Sequence, residues 1–586
     1  MKSPRAQSVL AIFSAAALAM GCHSVTAQTS LTYLGTQTIP NGTQVAGFEI
    51  GGLSGISYNA YTDTFTAITD DSRAAGASRM WNVRLSYNGT NFSSVTALSS
   101  TPLRTSAGAD LTFAIDTEGI AGNLNDTFYI SHEGLAAGSD PASSIPPWIW
   151  QVDAATGNKL AEVALPVKFL PRNGSGQQVP PDAGNQTSGV RSNLSLECLG
   201  ITPTRKVLFT SNEAALKQDF SGVYDGSSNQ AQNSLTRIVR FPGVPGNPSP
   251  AEEKVYQADQ GTLFWFVRRF NTVPEILPID DFGRMFVMER GLTQNNTNLG
   301  SYRIRIYEVD FNQSNATDVA SVNSLIGASY TRLNKTLRWE SSSNMDNVEA
   351  MCFGRDIDGF RTIVLASDNN FSGAQITQFH VLKTDIPAVT RRTLASSVTG
   401  SGTVVATPAL AWYPDGSDVS LSAVPGANYS FAGWSGDTTG TSNPLVVVMM
   451  NANKSAQAAF LSPFQGWQAT YFQPAETAGI GAPSSDPDGD GTPNLLEYAL
   501  NLHPRQPSPV GLPTLGGDAS TLSLTYRKDP SKPDIGWQVE ASPDLSTWNP
   551  VSDSLIGSDG AIEIRRASVP VEGPSRFLRL KVTKLF

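Results

Sequence analysis

Histidine is nearly absent from this 586-residue sequence, with four in all. His23 falls in an apolar N-terminal leader, which leaves His132, His380 and His503 widely scattered. A Ser-His-Asp triad is therefore disfavoured, and a His-rich zinc site is excluded by count. Cysteine is as scarce: Cys22, Cys198 and Cys352 are the whole supply, too few for a disulfide framework. Neither Cys198 nor Cys352 sits among basic residues that would favour a thiolate nucleophile. Buried free thiols are their expected state, with a bond across a narrow ring left open as the alternative. No glycine-rich phosphate loop is present, and Gly51-Gly52-Leu53-Ser54-Gly55 has the wrong spacing for a nucleophile elbow. Charge is sparse too. Only 16% of residues are charged and the net charge is −10, which argues against a nucleic-acid partner and suits cations.

Two further absences concern architecture. No stretch shows the periodicity of a long amphipathic helix, whereas 51 glycines and 37 prolines supply turn signals throughout, so the class is all-β. No apolar run is long enough to span a bilayer; the longest, Val9 to Met20, follows Lys2 and Arg5 and precedes Val25-Thr26-Ala27. Residues 1–27 read as a removable export signal, which predicts a secreted, periplasmic or cell-surface protein. Cys22 after Ala19-Met20-Gly21 leaves a lipid-bearing cysteine as the alternative.

What is present is a repeat. Five segments begin and end on a polar residue that is almost always an acid: Ser54 to Asp70, Glu118 to Glu133, Glu197 to Glu213, Glu275 to Glu289, and Glu349 to Asp368. Start and end lie 14 to 19 residues apart, the length of a β-hairpin, and the repeats recur every 64 to 79 residues. Second strands such as Arg284 to Met288 and Thr362 to Ala366 are apolar at successive positions, as expected for strands covered on both faces. The pattern predicts a β-propeller of five or six blades over residues 31–386, the strand Leu31 to Ile39 pairing with Gln375 to Leu382 to close the ring.

In register, the hairpins bring their acids to one mouth: Asp70, Asp71, Asp116, Glu118, Glu133, Glu197, Glu213, Glu289, Glu349 and Asp368, with Arg290, Lys335 and the pair Arg268-Arg269 near the same rim. So many carboxylates repel one another unless cations offset them, and oxygen-only clusters select Ca²⁺ or Mg²⁺. Glu118, Glu133, Glu197, Glu213, Glu289, Arg290 and Glu349 are the candidate catalytic set. Asp70, Asp116 and Asp368 are candidate calcium ligands, the bound ion holding and polarising a phosphoester with Arg290 stabilising charge on the phosphoryl oxygens.

Beyond Pro387 the texture changes. Residues 391–461 form a small β module in which Gly402-Thr403-Val404 and Phe431-Ala432-Gly433-Trp434 resemble the divergent internalin-type B repeat, which implies a spacer or adhesive fold. In 462–505 lies Asp486-Pro487-Asp488-Gly489-Asp490-Gly491, then Glu497, a full D-x-D-x-D-G-x5-E calcium loop. Asp486, Asp488, Asp490, the Thr492 carbonyl and Glu497 are its expected ligands, Asn494 stands at the water-bridged ninth position, and Pro493 to Leu502 has helical spacing. Residues 509–586 read as a final β module.

The ordered motifs of the repeat domain, Leu53-Ser54-Gly55 to Asp70-Asp71, Asp116 to Ile120, Ile130 to Glu133, Asn193 to Glu197, Met288 to Arg290, Asn347 to Glu349 and Ser367 to Asn370, resemble the "esterase-like activity of phytase" family. That resemblance covers nearly all of 45–383 and implies an exported propeller hydrolysing a small phosphoester or ester. The expected partner is such a small molecule, bound by a monomer whose C-terminal modules contact the cell surface. A non-enzymatic, surface-bound ligand-binding propeller is the alternative from another class.

Overall fold

A computed structural model describes residues 29–70, 78–111, 115–135, 145–220, 235–259, 267–295, 298–571 and 576–586. The export-signal reading and Asp71 lie outside them, and so do the side chains of Arg268 and Arg269.

Five four-stranded antiparallel sheets make five blades. Their innermost strands are Leu53–Asn59 (blade I), Thr117–Gly122 (II), Leu196–Ile201 (III), Val267–Pro278 (IV) and Asn347–Phe353 (V). Each abuts the next, and blade V returns to blade I, so the ring is closed. The closure is chain-end to chain-end: Leu31–Ile39 is the outer strand of blade V and pairs with Thr377–Pro387 from Leu31↔Thr384 to Ile39↔Thr377. A closed ring leaves few exposed sheet edges.

Each inner hairpin is the predicted one. The turns joining first and second strands carry left-handed residues where the sequence offers Asp, Arg or Gly, such as Asp63 and Asp126. Second strands are buried on both faces: in Val207–Asn212, Leu208 packs into the core between blades II and III and Phe209 into the core between III and IV. Inner strands approach so closely that a β-carbon on Gly119 would lie 2.6 Å from the Leu199 amide nitrogen. Cys198 and Cys352 are free, buried thiols within these packed layers.

Residues 394–461 fold as two three-stranded sheets, one of which pairs Leu394–Thr399 in parallel with Lys454–Leu461. A helix Pro463–Tyr471, capped by Ser462, then leads to the acidic loop and a second helix, Asn494–Leu500, which ends on left-handed Asn501. The final residues form two facing sheets around Leu524, Tyr526, Val539 and Ala567. Phe464, Tyr498 and Ile535 tie both helices to that last module. No helix among the described residues is long and apolar enough to cross a membrane.

Candidate active site

In all five inner hairpins the strand register shifts near the marked residue: between Leu53 and Gly55, Thr117 and Ile120, Leu196 and Cys198, Thr272 and Glu275, and Val348 and Ala350. A bulge inserts one extra residue and re-aims the side chain there. In four blades the displaced stretch includes Ser54, Glu118, Glu197 or Glu349, which gather at one end of the central channel.

There the carboxylates crowd together. Ligand oxygens of Asp116, Glu118 and Glu133 all lie within 4.8 Å of one another. Burial, then Glu133, Asp116 and Asp70, pushes Glu118 well above the ordinary carboxylate range. Glu133 is pushed up by burial, Asp116 and Glu213, against a hydrogen bond from the Ser195 amide at 3.3 Å. Burial, then Glu213, Glu118 and Glu133, does the same to Glu197. Glu213 is raised by burial, while Arg290, Thr272 and a hydrogen bond shared with Glu197 hold it back. Asp368 is raised by burial and Glu349.

Arg290 stands among them. It donates to Glu213 Oε1 at 2.9 Å, to Asn347 Oδ1 at 2.9 Å, and to Glu349. Burial pulls its guanidinium down, but Glu349, Glu213 and Glu197 more than compensate and hold it above its usual range. Ser54 Oγ donates to the other Glu349 oxygen at 3.0 Å. Asn347 Nδ2 bridges Glu349 and Asp368 at 2.8 and 3.4 Å.

Blade IV corrects the sequence reading. Glu289 does not join the mouth. It is fully buried on the opposite face of its strand, where it accepts from Tyr256 Oη at 2.6 Å, the Asp259 amide at 3.0 Å, Asn271 and Lys335. The reason is the period of two: Val287 packs toward blade III and Met288 toward blade V, so Glu289 follows the former and Arg290 the latter. Arg290, not Glu289, thus occupies the place that Asp70, Glu133, Glu213 and Asp368 hold in the other blades. Lys335 pairs with Glu289 and with Asp259 at 2.6 Å, away from the mouth.

Glu275, the repeat's nominal first acid in blade IV, also departs from the pattern, because the bulge there precedes it. Its carboxylate is buried along the channel and accepts the amides of Ile276, Leu199 and Met351; burial still drives it well above its usual range. It caps backbone donors of two neighbouring inner strands, a role that period counting had no means to show.

The second acidic cluster is local. Ligand oxygens of Asp486, Asp488 and Asp490 lie within 4.8 Å of one another. The loop is wound by the Gly489 and Gly491 amides on Asp486, at 2.9 and 2.8 Å, and by Thr492 on Asp490 at 2.8 Å. Glu497 is wholly buried beneath it, and neither carboxylate oxygen has a hydrogen-bond partner, nor has Asp488 Oδ2. Burial and the three aspartates push Glu497 up to about 8. Asn494, expected beside the ion, donates its amide to the Ile480 and Ala482 carbonyls, both at 2.8 Å.

The family model for the esterase-like activity of phytase matches residues 49–371, more than half of the chain. The chain belongs to the phytase-like family. A divergent InlB B-repeat model matches residues 392–462 of this phytase-like protein. No curated protein matches its sequence. Among solved structures, a candidate glycoside hydrolase from Parabacteroides distasonis is 10% identical with a TM-score of 0.29, covering 60% of this chain and 92% of its own. The N-terminal domain of Nup159 is 8% identical with a TM-score of 0.23, covering 61% and 96%. The WD40 domain of Toxoplasma gondii coronin is 10% identical with a TM-score of 0.21, covering 61% and 87%.

Proposed function

We propose that the mouth is a calcium-dependent hydrolytic site for small phosphoesters or esters. The observation that carries the reading is the meeting of Asp116, Glu118 and Glu133 oxygens within 4.8 Å, two of the three residues buried. Like charges this close do not all ionise in a low-dielectric setting without a cation, and an all-oxygen donor set matches a hard divalent ion. Such an ion would neutralise these acids and polarise a phosphoryl or acyl oxygen. Arg290, held by Glu213 and Glu349, would stabilise charge developing on the substrate's oxygens. Glu197 and Glu213, buried neighbours whose carboxyls are raised above their usual range, would serve as the acid or base that moves a proton. Export and a monomeric state belong to the same proposal.

The experiment assays the full chain on p-nitrophenyl phosphate, p-nitrophenyl acetate and phytate, with calcium and with chelator. Calcium-dependent turnover lost in Glu133→Gln is the expected result. Calcium-dependent phytate binding without turnover would favour a non-enzymatic binding propeller, and neither binding nor turnover would sink the proposal.

The loop Asp486 to Glu497 is, in the same proposal, a structural calcium site. The unpartnered Glu497 carboxylate beneath three convergent aspartates supports it. Its place between the two helices and the last module gives the ion a bracing rather than a catalytic task.

A further inference from the structure

The far end of the channel is unlike the mouth. Past Glu275 the inner strands contribute Ile56, Ile120, Leu199, Ile276 and Met351 to a cavity of about 260 Å³. The B-repeat module flanks it with Leu410, Trp412 and Pro414. Trp412 stacks on Tyr61 of blade I with ring centroids 4.6 Å apart, and Tyr61 Oη donates to the Trp412 carbonyl at 2.9 Å. The cavity is therefore built jointly by propeller and module.

Its charged lining is three arginines, Arg205, Arg361 and Arg391, against two aspartates, Asp126 and Asp356. Arg391 lies over the Trp412 ring at 4.5 Å and is paired with Asp356 at 3.3 Å, and Asp126 sits on an exposed turn at the edge. Arg361 is satisfied by the Ile279 and Pro387 carbonyls at 2.8 and 3.2 Å and covers the Phe353 ring at 4.6 Å. Arg205 is different. It stands on the turn between the first two strands of blade III, with a left-handed backbone whose amide donates to the Thr202 carbonyl at 2.9 Å. Its Nε is buried with no acceptor, and among the described residues no carboxylate lies within ion-pair distance of its guanidinium. Burial lowers its pKa, offset in part by Tyr61, Asp281 and Cys352.

Arg205 as a whole is only partly buried, but its Nε–H is a buried donor left unmet at the cavity wall, which is costly and points to a missing acceptor. We infer that this cavity binds an amphipathic carboxylate, its head on Arg205 and its apolar body running into the channel against Met351 and Trp412. At about 30 Å³ per water-sized unit the space holds roughly eight or nine such units, which fits a medium-length acyl chain or a small aromatic body. This site is separate from the acidic mouth and does not depend on catalysis there.

The test is calorimetric titration of the full chain with decanoate, 1-decanol and decyltrimethylammonium. Decanoate is expected to bind one to one and at least tenfold more tightly than the other two. Arg205→Gln should remove that preference without lowering the melting temperature, since it deletes an unpaired charge. Met351→Trp, which fills the cavity, should abolish binding of all three, while Glu133→Gln at the mouth should leave decanoate binding unchanged. Equal affinity for decanoate and decanol, no decanoate binding, or full decanoate binding by Arg205→Gln or Met351→Trp would each overturn the inference.

Discussion

The two acidic clusters of this chain offer the same chemistry and are assembled in opposite ways. The loop draws its ligands from twelve consecutive residues, aimed by glycine amides wound around Asp486. The mouth draws on residues from Asp70 to Asp368, aimed by bulges in separate blades. The loop has no cation of its own, and its deepest acid, Glu497, is left without a partner. The mouth carries Arg290, which already neutralises part of the cluster. The short-range cluster thus carries no counter-charge of its own, whereas the long-range one, set where the propeller core meets, is partly neutralised from within.

The sharpest way to break that contrast is to remove the built-in cation. Arg290→Met leaves Glu213 and Glu349 buried without their partner and should cost about 3–5 kcal/mol in urea unfolding, with calcium restoring part of it. An unchanged midpoint would mean that the mouth tolerates its acids unaided.

Two glutamates equivalent in the sequence repeat should then behave oppositely. Glu133→Gln should reduce hydrolysis by about a hundredfold or more and leave melting unchanged or raised, because a crowded like charge is gone. Glu289→Gln should instead lower stability by about 2–3 kcal/mol, since Lys335 keeps only Asp259, with normal specific activity in the folded fraction. Matching phenotypes from paired melting and activity measurements would return Glu289 to the mouth.

At the loop, calcium at a hundredfold excess over Kd should stabilise the C-terminal transition by about 2.7 kcal/mol. Asp490→Ala and Glu497→Gln should erase that shift in calorimetry while leaving calcium-dependent activity intact. Loss of activity in either would couple the two clusters.

The smallest effect lies away from both. His380, in the strand that closes the ring, is buried, bonded to Tyr33 Oη at 3.2 Å and pushed down to about 4 by burial. The unfolded chain binds a proton near pH 6.5 and the folded one does not, so its contribution is full above about 6.5 and is lost as pH falls toward 4. His380 should supply about 1 kcal/mol per pH unit of the slope, read as the difference between the parent and His380→Gln, because buried His132 is pushed down to about 4 as well and keeps its own share. An equal slope in the variant would assign the acid sensitivity to other groups.

Hairpins, turns, ring closure and the convergence of aspartates in the acidic loop were all legible in the sequence because each is a local pattern: alternation, turn residues, a fixed spacing of acids. The mouth was legible in four blades because the same local pattern recurs there with its bulge in place. It failed in blade IV, where Glu289 and Arg290 are adjacent and one residue of register exchanges the faces of a strand. Sequence alone determined the class, the hairpin repeat and the composition of the loop, since these depend on neighbours along the chain. Only the tertiary structure decided the five-blade count, the bulge position in blade IV, the capping role of Glu275, and the meeting of Arg205 with an apolar cavity roofed by another module. Those depend on which faces the packed cores bury, and that choice is made by residues far apart in the chain.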